Sequence, residues 1–339
     1  MPSPSVKRGV TVLAALTALL IACAWLSLGV GPSPASWSDV PGLLTGDADP
    51  VTRDILARVR MPRLVLAAVV GAALSGAGVV FQAVLRNPLA DPYILGVSGG
   101  AALGAVLFTA ALGTAAMGSV LGRPGAAFAG AVGTLALLSL ARVRGRTEPT
   151  VLLLVGVVLN AFYSAVILFL LTAGDTSRFR GALFYLVGSV SAAASLSWTV
   201  LASVTALVAA GLAVLLLFSH RLNLLAFGEE VAGHLGVDVE RTVWLAVGGA
   251  SLITAAAVAF TGLVGFVGLI VPHLVRTLAG PDHRLLLPAS ALGGAAFVVL
   301  ADTAARTVVA PGEMPVGVIT ALIGGPFFLG LFLRRLRER

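Results

Sequence analysis

Residues 86–100 read RNPLADPYILGVSGG, between two long apolar runs at 64–85 and 101–112. Two prolines, an arginine, an aspartate and clustered glycines interrupt an otherwise continuous hydrophobic chain. Asn87 precedes Pro88 and is biased out of the α region, so a helix must end there. Asp91-Pro92 reads as an N-cap followed by the first residue of the next helix. Gly96, Gly99 and Gly100 then let that helix approach its neighbours closely. The stretch is a short reversal between two helices, and the apolar runs on either side are long enough to cross a bilayer.

The same reading extends along the chain. Of 339 residues, 58% are hydrophobic and 11% charged, and the mean hydropathy is +1.02. Soluble domains carry about 25% charged residues. Several runs exceed the ~18 apolar residues that mark a transmembrane helix. Period-2 alternation, the mark of a membrane β-barrel, is missing. The fold class is an all-α polytopic membrane protein of about ten transmembrane helices. The spans fall near 9–30, 61–85, 92–112, 124–142, 150–172, 196–219, 242–262, 264–279, 285–308 and 315–334. The first run is too long for a signal-peptide core and no A-x-A site follows it, so it reads as a span. Thr261-Gly262 marks the break between the seventh and eighth spans; one long tilted helix is the alternative there.

Several functions are excluded by composition. Cys23 is the single cysteine, which removes disulfides and cysteine metal sites. Lys7 is the single lysine, so no phosphate-binding G-x-x-x-x-G-K-[ST] exists. No H-E-x-x-H pair is present and no G-x-S-x-G or comparable nucleophile setting stands out, which leaves an intramembrane enzyme without a catalytic constellation. The net charge of +7 belongs to lipid headgroups and orientation rather than to nucleic acid. With both termini cytoplasmic, 14 of the 22 basic residues fall on the inner side. The remaining arginines are Arg53, Arg58, Arg60, Arg63, Arg123, Arg178, Arg180 and Arg306, an outer excess that needs its own explanation.

In this topology 61–172 holds four helices starting outside, and 242–334 four starting inside. GAALSGAGVVFQAVLRNPLADP (71–92) echoes GASLITAAAVAFTGLVGFVGLIVPH (249–273). The two segments read as inverted repeats of one permease domain; shared small-residue packing is the plainer alternative.

Four polar features stand out. The longest is RLNLLAFGEEVAGHLGVDVERT (221–242), a cytoplasmic segment read as helices 223–227 and 229–236 separated by Gly228. Glu229 and Glu230 suit the second helix's N-terminus. Leu224, Leu225, Phe227, Val231 and Leu235 make an apolar surface that invites a partner or lies on the membrane. His273, after Pro272, reads as a proton relay, a ligand, or a turn residue with one hydrogen bond. Asp302 and Arg306 are four apart and can pair. Asn160, in mid-span, is interhelical glue or pathway lining.

The residues also carry a family resemblance. The stretches RVRMPRLVLAAVVGAALSGAGVVFQAVLRNPLADPYILGVSGGAALGA (58–105), FYLVGSVSAAASLSW (184–198), RLNLLAFGEEVAGHLGV (221–237), GFVGLIVPHLVRTLAGPDHRLLLPASALGGA (265–295), ADTAAR (301–306) and MPVGVITALIGGPFFLGLF (314–332) resemble the FecCD-type permeases. These are membrane subunits of type II ABC importers for ferric siderophores, haem or vitamin B12. The resemblance implies a type II importer permease fold with ten spans and an inverted repeat, in the inner (cytoplasmic) membrane. It implies a non-catalytic subunit that binds no cofactor, with ATP used by separate ATPase subunits docked from the cytoplasm. A substrate-binding protein docks outside, and a second copy or paralogue completes a dimer. The coupling segment matches Arg221, Leu224, Leu225, Phe227, Gly228, Glu229, Glu230, Leu235 and Gly236. Arg60, Arg63 and Arg306 match outward arginines that meet the binding protein, with lipid phosphate as the alternative partner. Within RGRTEPTVLLLVG (144–156), Pro149 and Thr150 match the gate region. Ferric siderophore is the expected cargo, with haem or cobalamin as alternatives. An ion-coupled secondary transporter is the rival class, and it would need ionisable groups at mid-membrane.

Overall fold

The computed structural model describes residues 6–33, 35–112, 122–140, 149–173 and 183–337. Ten long helices carry the fold: α1 (Val6–Gly29), α2 (Met61–Val84), α3 (Val97–Leu112), α4 (Gly122–Leu140), α5 (Pro149–Ala173), α6 (Trp198–Leu217), α9 (Val239–Thr261), α10 (Val267–Ala279), α11 (His283–Ala305) and α12 (Val316–Arg337). Two short helices, α7 (Ser219–Leu225) and α8 (Glu229–His234), interrupt the series. Seven of the long helices are long and apolar enough to span a bilayer, and α3, α10 and α12 are shorter apolar helices. Together they match the ten expected spans.

α2 is the centre. It packs against α11, α9, α10 and α6; α3 packs on α4 and α5, and α1 lies on α11. Lipid offers no hydrophobic drive between helices, so close backbone approach supplies the contact energy. A methyl group added at Gly71 would overlap the carbonyl of Gly294, and one added at Gly78 would overlap that of Gly268. These glycines set the α2–α11 and α2–α10 distances.

Two boundaries differ from the sequence reading. The helix after the RNPLADP turn starts at Val97, not Pro92, because 92–96 form turns. Asp91 therefore does not cap an α-helix: its Oδ1 accepts from the Tyr93 backbone N–H at 2.9 Å, closing a local turn. Upstream, Pro50–Asp54 and a π-helical turn at Ile55–Arg60 run straight into α2, giving one apolar helical stretch over Pro50–Val84.

The break after the seventh span is real. α9 ends at Thr261, Gly262 takes φ 70°, and Phe266 takes φ 68° before α10 starts. Non-helical backbone at membrane depth must be satisfied inside the protein. Here residues 185–189 supply the partners: Leu263 N–H donates to Tyr185 O (3.1 Å) and Ser189 N–H to Thr261 O (2.7 Å). The Tyr185 hydroxyl donates to Val258 O at 2.7 Å.

Candidate functional site

The polar chemistry gathers at the two ends of α2, a helix of 24 residues, about 36 Å apart. At the N-terminal end, Arg63 is the hub. Its Nε lies 2.9 Å from both Asp302 oxygens, and its Nη1 lies 2.9–3.0 Å from both Glu313 oxygens. Arg306 Nη2 donates to Ser27 Oγ at 2.7 Å, and its Nε lies 3.8 Å from Asp302. Arg60 donates to Leu28 O and, at 2.7 Å, to Ser33 Oγ.

These groups are deep. Arg60, Arg63, Asp302 and Arg306 are 3%, 6%, 1% and 4% exposed. A charge at this depth is tolerated only when paired. The cluster thus ties α1, α2, α11 and the loop before α12 together. The three arginines expected to face outward are buried in bonds to this chain's own atoms. Part of the arginine excess on that side therefore has an internal explanation. The Asp302–Arg306 pairing expected from spacing is present; the stronger Arg63 partnership, across 239 positions, carried no local signal. Exposed Arg58 pairs with Asp54 at 3.2 Å, and Arg123 lies over the Tyr185 ring.

At the other end of α2, the α7–α8 segment forms a knob. α7 runs 219–225 and α8 229–234, against the expected 223–227 and 229–236. Gly228 between them takes φ 113° and Gly236 after α8 takes φ 82°, conformations that glycine adopts without strain. Phe227, Val231 and Leu235 are exposed, whereas Leu225 is buried and Leu224 half-buried. The apolar surface is therefore narrower than expected: the α7 leucines root the knob and the other three crown it. Arg221 is exposed and lies over the Phe218 ring at 5.3 Å. Glu230 is exposed; Glu229 Oε1 accepts from Arg86 Nη2 at 2.8 Å.

Between the two ends, Asn160 on α5 donates to Tyr93 O at 2.6 Å. It lines a cavity of 450 Å³ with Tyr93, Gly99, Tyr163, Ser164 and Ile167. The bond makes it glue between α5 and the 92–96 turn, and its side chain also borders this cavity. Pro149 and Thr150 open α5, and Thr150 is exposed; residues 141–148, before them, lie outside the described residues. On the same helix Leu154, Val157, Val158, Phe162, Leu168 and Phe169 are all exposed. His273 packs edge-to-face on Phe327. Among the described residues no cluster of three or more His, Cys, Asp or Glu could hold a metal.

The FecCD transport family model matches residues 19–334. The cobalamin import system permease of Halobacterium salinarum is 48% identical over 84% of this chain and 74% of its own. The ferric dicitrate transport system permease of Escherichia coli K12 is 39% identical over 94% of this chain and 97% of its own. A solved structure described as an inward-facing conformation of a metal-chelate type ABC transporter superposes with a TM-score of 0.81. It is 34% identical, covering 96% of this chain and 99% of that one. With ten apolar helices in this arrangement and a match along nearly its whole length, the chain belongs to the FecCD transport family and has its permease fold.

Proposed function

We propose that this chain is the membrane subunit of an ATP-driven importer of a metal chelate in the cytoplasmic membrane, with both termini cytoplasmic. The observation that carries the reading is the family match along the chain, which includes the exposed α7–α8 knob. Phe227, Val231 and Leu235, flanked by Arg221, Leu224, Gly228, Glu229, Glu230 and Gly236, are the surface offered to an ATPase subunit. Leu225 supports them from below. ATP hydrolysis belongs to that partner, and this chain binds no cofactor of its own.

A substrate-binding protein docks at the opposite end. Arg60, Arg63 and Arg306 serve it from beneath, by fixing the ends of α2 and α11 where it lands. A second copy or a paralogue covers the exposed apolar side of α5, and Asn160, Pro149 and Thr150 line or gate the passage so formed. The segments 61–172 and 242–334 are the two inverted halves that this scheme moves.

The cargo class is a metal chelate, with ferric siderophore as the first reading. Cobalamin is the second, favoured by the 48% identical relative. Purification from the native membrane in mild detergent, followed by mass spectrometry, tests the assignment. A co-purifying ATPase with a phosphate-binding loop is expected; a preparation that reproducibly lacks one overturns it.

A further inference from the structure

The knob packs on the spans through α7, which lies against α2 and α11, and two polar attachments of unequal character add to that packing. The first is on α7. Asn223 Nδ2 donates to Asp282 Oδ1 at 2.7 Å, and its Oδ1 accepts from the His283 backbone N–H at 2.9 Å. That oxygen also lies 2.7 Å from His283 Nδ1. Asp282 Oδ1 accepts in turn from the Arg284 backbone N–H at 3.0 Å, capping α11. Arg284 Nη2 reaches His220 Nδ1, in the first turn of α7, at 3.1 Å. Leu222 and Leu225 are buried alongside, and His283 is buried. Every polar atom of the Asn223 carboxamide that points at α11 is used, so the two helices cannot separate without unpairing several groups together.

The second attachment is a single contact. Arg86 Nη2 meets Glu229 Oε1 at 2.8 Å, with side chains 40% and 42% exposed. Arg86 sits in the RNPLADP turn with φ 48°, a backbone conformation that costs a non-glycine residue energy. An exposed ion pair of this kind is weak and reversible. It joins α8 to the turn that links α2 and α3.

We propose that Asn223 is a positioning residue that makes α7 and α11 move as one body, while Arg86–Glu229 is a latch that engages the RNPLADP turn in one transport state and releases it in the other. The inference rests on reading α7–α8 as the ATPase-coupling knob. It also gives the RNPLADP turn a task beyond reversing the chain: beside the packing of α7 on α2, it is where α8 reaches the link between α2 and α3.

Cysteine pairs test it in the purified permease–ATPase complex, with Cys23 replaced by alanine. Arg86→Cys/Glu229→Cys and His220→Cys/Arg284→Cys are cross-linked with a short bismaleimide, nucleotide-free and after trapping with ATP and vanadate. The 220–284 rate stays constant between states, and the 86–229 rate, which reports how close the two backbones stand once the cysteines replace the ion pair, changes by about fivefold or more. Asn223→Ala makes the 220–284 rate state-dependent. An 86–229 rate equal in both states overturns the latch, and an Asn223→Ala variant with an unchanged 220–284 rate overturns the positioning role. A complex that contains no ATPase is visible on the same gel and refutes the coupling reading itself. Charge exchange supplies the independent check. Arg86→Glu lowers transport per ATP, and Arg86→Glu/Glu229→Arg restores it to within about twofold. No restoration also overturns the latch.

Discussion

Replacing Asp302 by asparagine removes one negative charge and almost no volume from the most buried ion cluster among the described residues. Asp302 receives Arg63 Nε and Nη2 at 2.9 Å, and Arg306 Nε lies 3.8 Å away. At an effective dielectric constant near 20, a unit pair at that separation is worth roughly 6 kcal/mol. Glu313 still faces Arg63 in the variant, and the asparagine oxygen still accepts one hydrogen bond, so part of that energy survives. The net loss expected for breaking one member of a buried pair is about 3–5 kcal/mol. At roughly 2 °C per kcal/mol for a chain of this size, the unfolding midpoint falls by about 6–10 °C. A heat challenge in detergent, read by size-exclusion chromatography with fluorescence detection, measures it. Two companions sharpen the test. Glu313→Gln loses about 1 kcal/mol or less, because its carboxylate is partly exposed. Arg63→Met/Asp302→Leu recovers only part of the Asp302→Asn loss: an apolar pair of similar volume replaces the ion pair at little cost, but Arg306 stays buried beside it without a carboxylate. An Asp302→Asn midpoint within about 1 °C of the parent, or a double variant worse than the sum of its singles, refutes the reasoning.

Gly71→Val drives a side chain into the Gly294 carbonyl and costs about 3 kcal/mol or more, whereas Gly125→Ala, with open space at its Cβ, stays within ~0.5 kcal/mol; the same heat challenge separates them. Burial pushes the Asp91 carboxyl up to about 6 against the opposing Tyr93 N–H bond. Its folded value is thus above its unfolded one, so stability is full below about pH 4 and declines as pH rises through 6, by up to ~3 kcal/mol. Asp91→Asn keeps an acceptor for Tyr93 and removes that decline, as midpoints between pH 4.5 and 7.5 will show. Phe227→Ala/Leu235→Ala weakens retention of the ATPase by about tenfold or more, read by pull-down, and leaves the midpoint within about 1 °C because both side chains are exposed.

Much of the architecture is legible because membrane helices announce themselves locally. Twenty apolar residues in a row need no tertiary information, and Thr261-Gly262 marked a break that the structure places at Gly262–Phe266. Close packing at Gly71 was invisible: a glycine in an apolar run does not say which neighbour's carbonyl it admits. The arginines show the same limit more sharply. Arg306 and Asp302 are one turn apart, so spacing found them. Arg63 and Asp302 meet only after α2 and α11 have packed, so the chain offered Arg63 to the solvent side and the fold took it inside. In the knob, five apolar residues read as one surface, but which of them root α7 and which face outward depends on the leucines that α7 presses against α11. Asp91 was misassigned for a related reason. An Asp-Pro pair suits a helix start, and Asp91 does take the amide of Tyr93 as a cap would, but the turn it opens ends at Gly96, φ 80°, before α3 starts at Val97.

In the proposed function, ATP hydrolysis on a partner drives a metal chelate through this chain. Reconstitution of the purified complex in proteoliposomes, with uptake of a radiolabelled ferric siderophore or cobalamin, tests it most directly. Uptake is expected to require the binding protein on one side and ATP on the other, and to be insensitive to collapse of proton and sodium gradients. Uptake by this chain alone, without nucleotide and driven by an ion gradient, would contradict it.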